Sequence, residues 1–509
     1  MRDVLRLAVV AGVLLLGLSG WALGGYPGAA VALALGTALL VVPWRGQPAW
    51  SWAGQYLRRR RRFEWVEPVT VANDRSGGGV RYQDDVAVVA VQVLGRAHAP
   101  TLVVGSTTTE TANVLDLARL VPAMKQSLGL VIESMSVLSL GSRRGTTGDY
   151  PRVYDTLIGT SPYAGQRETW LQIRIRSLDN GDALGCRPTV GTAALAVAQR
   201  VAAQLRRQAI RARVATATDI VELERRLGAA ALEPHNRRWH TLRGDGGWLT
   251  TYAYLPGDLR SDVLAQAWAL PADGIVQNLT LFPDGEACAT VTVRTAQPPT
   301  AAPSVTVRTL PGQQARAAAA NLCGPRPPLH GVHRGALSAG VRLPVGPSGV
   351  LIGKLETGDR LLLPLSDPGE HTRVHITAAD TIAKRIVIRL AGAGERLTVH
   401  TRDRDRWNSV RMPQITVVDG ARPVAGTTVS VVDGSVAPAP RPNTVVSVGP
   451  ADSAAGASAD VLIEQTGPAM VEVTAAGQRY QVEVEFFRAE NRYVTTESVW
   501  AAAELEMVE

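Results

Sequence analysis

Few side chains in this sequence stand at spacings that could do chemistry. Asp403 and Asp405 form a D-x-D pair just after a predicted strand at 396–400. Two carboxylates at a strand end can hold a divalent cation, and through it a sugar-nucleotide diphosphate, because hard cations take oxygen ligands. Arg402, Arg404 and Arg406 flank both acids, and a self-paired, solvated loop explains that alternation more simply. Residues 346–354 (GPSGVLIGK) invite comparison with a phosphate loop. The spacing fails, however: three residues separate Gly349 from Gly353-Lys354, and Leu355 stands where a hydroxyl would touch magnesium. His330 with His333, and His371 with His375, have ligand-like gaps, but no Cys or acid completes either set at a zinc spacing. A G-x-S-x-G nucleophile elbow is absent. Glu168, Asp179 and Asp182 read as surface carboxylates, and Trp170, Trp239, Trp248 and Trp268 as core or interface anchors. Cys186, Cys288 and Cys323 are odd in number, far apart and without a C-x-x-C, as expected of free thiols in a reducing compartment. The sequence thus predicts no catalytic residue and no cofactor. Asp403 and Asp405 are the sole, weak metal candidates, and a metal-dependent glycosyltransferase is the alternative they would support.

The stronger signal is physical and lies in the first 62 residues. Residues 7–23 carry no charge, 24–28 contain a Gly-Pro turn, and 29–42 are again uncharged and rich in Ala, Leu and Val. A bilayer core takes about 20 apolar residues per helix. Lipid offers backbone groups no partner, so helices are the expected form. Arg2 and Arg6 precede the pair, Arg45 and Arg58, Arg59, Arg60, Arg61 and Arg62 follow it, and the turn has no cation. The positive-inside rule then places both termini in the cytoplasm of a two-pass protein. Trp44, Trp50, Trp52 and Tyr56 suit the headgroup zone. The arginines suit an anionic leaflet, at about 1 kcal/mol each. Gly12, Gly17, Gly20 and Gly36 would let other membrane helices approach closely. A second apolar run directly behind the first, with no clear A-x-A site, argues against a cleaved signal peptide.

The chain has 509 residues, 46% hydrophobic and 19% charged, a globular composition. Its net charge is +8, and the first 62 residues supply +7 through eight arginines against one aspartate. The near-neutral remainder weakens any nucleic-acid reading. After the basic segment, strand and helix patterns alternate, which predicts mixed α/β domains of repeated strand–helix–strand units. Strands are expected at 86–94, 101–104, 130–140, 168–177, 210–214, 249–255, 275–281 and 287–295. Helices are expected at 111–127, 192–208, at 218–227 with Thr218 or Asp219 as N-cap, and at 261–268 with a Ser N-cap. The predicted organisation is a membrane hairpin at 1–62, an α/β domain at 63–297, a linker with a short helix at 298–340, a second α/β module at 341–411 and a β-rich tail at 412–509.

Residues 154–160 (YDTLIGT), 167–174 (RETWLQIR), 327–333 (PPLHGVH), 343–353 (LPVGPSGVLIG) and 363–367 (LPLSD), behind two apolar spans and an arginine run, resemble EccE. EccE is a membrane component of actinobacterial type VII (ESX) secretion systems. The resemblance covers residues 1 to about 405 and weakens beyond Met412. It implies two transmembrane helices, a cytosolic body, and assembly with EccB, EccC and EccD in a plasma-membrane complex with EccE at its periphery. EccC is the ATPase of that set, which agrees with the failed phosphate loop here. The family's cytosolic domain is likened to glycosyltransferase-type folds, and no family-wide active site transfers to this chain. A structural subunit that binds anionic phospholipid and no nucleic acid is the function expected.

Overall fold

The computed structural model describes all residues except 1, 42, 45–46, 49–51, 53, 57–61, 74–75, 186, 435, 451–452 and 496–509. Where the sequence predicts two separate N-terminal helices, the structure has one apolar helical element, Arg2–Val41. Its section Val10–Ala38 is long and apolar enough to cross a membrane and is almost wholly unburied. Gly24 and Gly25 leave helical geometry, Gly25 at φ +59°, and Pro27 follows in the next turn, where its missing N–H costs nothing. The chain doubles back there. A Cβ built on Gly20 would lie 2.5 Å from the Gly28 carbonyl oxygen and 2.6 Å from Ala32 Cβ. Gly17 faces Leu33, and Gly36 faces Val13. Three of the four glycines expected to meet other helices therefore close this element on itself, and only Gly12 has nothing within 4 Å. A Cβ on Gly36 would lie 3.7 Å from Val13 Cβ, within disulfide reach. The pair Val13→Cys and Gly36→Cys is expected to form an intramolecular disulfide in membranes, seen as a mobility shift on a non-reducing gel. In a straight helix the two would be about 34 Å apart, so absence of the shift would rule out the doubled-back geometry.

The body holds two sheets of 12 strands each. The first is antiparallel, with Val86–Gly95, Gln166–Arg176, Ser134–Ser142 and Gly274–Leu281 paired in that spatial order. Thr169 to Ile175 are buried without a break, so this strand has no solvent face. That is why its apolar alternation fails at Leu171. Helix Val190–Arg207 covers the side of Ala87, Val89 and Val91. Helix Ala217–Arg226 and residues 319–323 cover the side of Val86, Val88 and Ala90. The expected 298–340 linker belongs to this sheet, since Val307–Thr309 and Gly335–Ala336 both pair into it. Its Pro/Ala/Thr stretch marks one loop only.

Three local expectations need correction. Residues 111–127 form no α-helix: strand Val114–Asp116 is followed by three single 3-10 turns beginning at Leu117, Val121 and Ser127. Asp116 caps the first and Pro122 opens the second, yet Leu117, Leu120 and Met124 are still buried. The N-cap of Ala217–Arg226 is Thr216, whose capping-box partner is Asp219. Ser261 is not a cap either; its hydroxyl accepts from the Arg342 N–H at 2.9 Å.

The second sheet overturns the boundary at 412. In spatial order it begins Ile415–Val418, Leu397–His400, Val429–Asp433, Thr444–Val448, Thr372–Thr377 and Val461–Gln465, all parallel. It continues antiparallel through Met470–Ala475, Gln478–Glu483, Val350–Lys354, Arg360–Leu363, Thr101–Val104 and Thr108–Thr111. Strands from beyond 412 thus lie between strands from before it. Helix Asp380–Ala393 makes the crossover from Thr372–Thr377 to the parallel strand Leu397–His400, past the two strands that lie between them, and Gly394 ends it. Helix Tyr150–Ile158 follows first-sheet strand Ser134–Ser142 in the chain and packs into the core of the second sheet. Its Tyr154 hydroxyl accepts from the Leu351 N–H at 2.9 Å, and Tyr150 donates to Glu490 at 2.8 Å. Glu490, on the C-terminal helix Arg488–Val494, chelates Arg389 through Nε and Nη2, both at 2.9 Å, and both side chains are wholly buried.

Candidate membrane-proximal interface

The segment leaving the apolar element is fastened to the body by aromatic rings. Trp52 meets Trp239 at 5.7 Å between centroids, and Tyr56 meets the same indole at 6.4 Å. Trp239 lies in the loop before strand Leu242–Gly244. Gly312 passes beneath: at φ +71°, its added Cβ would sit 2.9 Å from Trp239 Cη2 and 2.7 Å from Gln55 Oε1. Only glycine allows both that backbone and that approach. Further along, Phe63 stacks on Trp65 at 5.9 Å, with the Arg237 guanidinium 4.8 Å from the Phe63 centroid. Trp65 in turn carries Arg81 at 5.7 Å.

Arg81 is the deeper fastening. It is buried, donates to both oxygens of Glu224 and to the Cys323 carbonyl, and its Nε reaches back to the Val66 carbonyl at 2.6 Å. Glu224 also accepts from the Cys323 N–H at 3.0 Å. One guanidinium therefore joins the segment after the apolar element, helix Ala217–Arg226 and the 323 loop. Burial pushes the Cys323 thiol up to about 12, so it stays neutral. Beside it Arg174, wholly buried and without a carboxylate, donates to the Gly324 carbonyl at 2.8 Å, Ser136 Oγ at 2.8 Å, Gln172 Oε1 at 2.9 Å and the Leu322 carbonyl at 3.2 Å. Burial lowers it to about 10, still charged at neutral pH.

Trp52 and Tyr56, expected at the lipid, are thus at least partly engaged by the body. Trp239 is the interface anchor its residue type suggested. Phe63, Trp65, Arg81 and Glu224 were missed; the F-x-W pair behind the arginine run was the available signal. The side chain of Trp44, and residues Arg45, Trp50, Arg58, Arg59, Arg60 and Arg61, lie outside the described residues, whereas Arg62 is described and exposed.

The other candidates are placed differently. Asp403 caps the short helix Arg404–Trp407 by accepting from the Arg406 N–H at 3.1 Å, and Asp405 accepts from Asn408. Arg406 instead bridges Asp380 and Asp433 on the wall of a crevice of about 600 Å³ at the carboxyl ends of the parallel strands. The Arg406 hydrogen bonds hold the Asp380 carboxyl below its ordinary range. His375 sits within 3.0 Å of Ser447 Oγ and the Pro450 carbonyl, while His371 is exposed, so the two do not converge. No group of three or more His, Cys, Asp or Glu suited to a metal occurs among the described residues.

Comparison with known proteins gives this arrangement its class. The chain is 53% identical to the ESX-2 secretion system protein EccE2 of Mycobacterium tuberculosis, over 98% of this chain and 97% of the relative. It is 27% identical to the ESX-1 secretion system protein EccE1 of the same species, over 73% and 77%. It is 29% identical to the ESX-5 secretion system protein EccE5 of Mycobacterium marinum over 114 residues, 22% of this chain and 28% of the relative. The profile describing the type VII ESX secretion system translocon component EccE matches residues 163–254, which include Arg174, Glu224 and Trp239. These likenesses define a subunit of a type VII secretion system. The chain belongs to the EccE family, a structural component of that system and not an enzyme.

Proposed function

We propose that this subunit is held in the plasma membrane by a two-pass helical hairpin and braces the secretion complex at its cytosolic periphery, with both termini in the cytoplasm. The observation that carries this is the closed hairpin with its apolar side chains turned outward. Leu14, Leu15, Leu18, Trp21 and Val31 are all more than half exposed, and Leu23 at the turn is 90% exposed. Water disfavours such a surface at about 25 cal/mol per Å², and lipid covers it without cost. The first arm is about 33 Å long and the second about 24 Å, against a hydrocarbon core of about 30 Å. The second arm reaches the interface with the extended residues Pro43–Trp44 that follow it. Trp44, Arg45, Trp50 and Arg58 to Arg62 then meet anionic phospholipid, while Trp52 and Tyr56 link that layer to the body.

EccB, EccC and EccD are the partners this reading names. With Gly17, Gly20 and Gly36 used internally, they would meet the outer Leu-rich faces and the open stripe at Gly12. Affinity recovery of the tagged chain from mild detergent is expected to bring down other membrane proteins of the same secretion system. Recovery as a lone monomer would overturn the proposal.

A further inference from the structure

We infer that the segment 235–243 is a second lipid-contacting surface, one that lays the body against an anionic leaflet; this rests on the membrane reading above. The segment His235-Asn236-Arg237-Arg238-Trp239-His240-Thr241-Leu242-Arg243 holds three arginines and no acid, in a body that is otherwise close to neutral. Glu233 and Asp245 bound it. His235, Arg238, His240 and Arg243 are exposed. Arg238 turns one nitrogen back to the His235 carbonyl at 2.8 Å.

The segment is pinned to both flanks of the arginine run. Tyr56, before the run, packs on Trp239, and Phe63, after it, lies under Arg237. Aromatic packing thus holds this basic segment against the residues on either side of the arginine run. Its exposed Arg238 and Arg243 have no acid between them, and a layer of phosphate headgroups supplies the opposite charge. The preferred partner is therefore an anionic phospholipid surface. A ring against which Trp52 and Tyr56 already pack at a tilt suits the boundary between apolar and wet layers.

The test uses the full chain in nanodiscs of phosphatidylcholine alone or with phosphatidylglycerol, followed by hydrogen exchange of peptides covering 233–245. Exchange is expected to be several-fold slower in the anionic discs, to recover at high salt, and to lose its lipid dependence in Arg243→Glu, a change at an exposed side chain. Strand Gln166–Arg176 serves as the internal reference and stays unchanged. Equal exchange in the two lipids, or undiminished protection in Arg243→Glu, overturns the inference. Failure of the chain to enter discs of either composition overturns the membrane reading instead.

Discussion

Glu490→Ala is expected to lower the stability of the body by about 3–5 kcal/mol, the usual cost of leaving one member of a buried ion pair alone. The Arg389 guanidinium would keep its carbonyl partners Leu351, Ile352 and Glu485 but lose the carboxylate that grips Nε and Nη2. Burial by itself lowers Arg389; the charge and hydrogen bonds of Glu490 more than offset that and hold it raised. Tyr150 loses its acceptor in the same variant, and the seat of helix Arg488–Val494 goes with it. The readout is a lower melting temperature in detergent together with new protease cleavage at 484–495. Unchanged melting and cleavage would mean that the pair contributes nothing. Converting both partners to apolar residues, Arg389→Met with Glu490→Leu, is expected to recover part of the loss, since no buried charge is then stranded.

Arg174→Met has the second largest expected effect. It removes the donor from Ser136, Gln172 and the carbonyls of Leu322 and Gly324, all in a buried layer between the first sheet and the 320–324 loop. Each buried polar group left without a partner costs about 1–3 kcal/mol. A loss of roughly 3 kcal/mol or more is expected, read as an earlier denaturant midpoint of the purified chain. Arg174→Lys is expected to rescue little, because an ammonium offers three donors from one point and cannot span these acceptors. Full rescue by lysine would show that charge alone, and not the planar fork, matters at this position.

The sequence showed the parts of this molecule that rest on bulk composition. The apolar runs, the Gly-Pro turn and the family likeness were all legible, as were most strands of the Val-rich segments. What it hid was pairing order. Nothing local tells that Val429–Asp433 and Thr444–Val448 lie between Leu397–His400 and Thr372–Thr377, because register is set by partners distant in the chain. The spacing of Leu117, Leu120 and Met124 fits a continuous helix and a series of single turns equally well, and only Pro122 hinted at the second. Nothing in the sequence signals that Arg174 and Arg389 are buried, since arginine is usually a surface residue. Their burial depends on carbonyls and a carboxylate that the fold brings in from far away. Asp403 and Asp405 suggested a metal by spacing alone, whereas a cap needs only one of them.

The interleaved strands also set an order of events during synthesis. Strand Thr101–Val104 pairs with Arg360–Leu363, so it emerges from the ribosome about half a chain before that partner exists. At about 5–20 residues per second that delay is on the order of tens of seconds. The N-terminal hairpin is complete long before then. In the membrane setting proposed above, the nascent polypeptide is tethered by its first forty residues while the second sheet still lacks most of its strands, and it finishes folding already delivered to its destination.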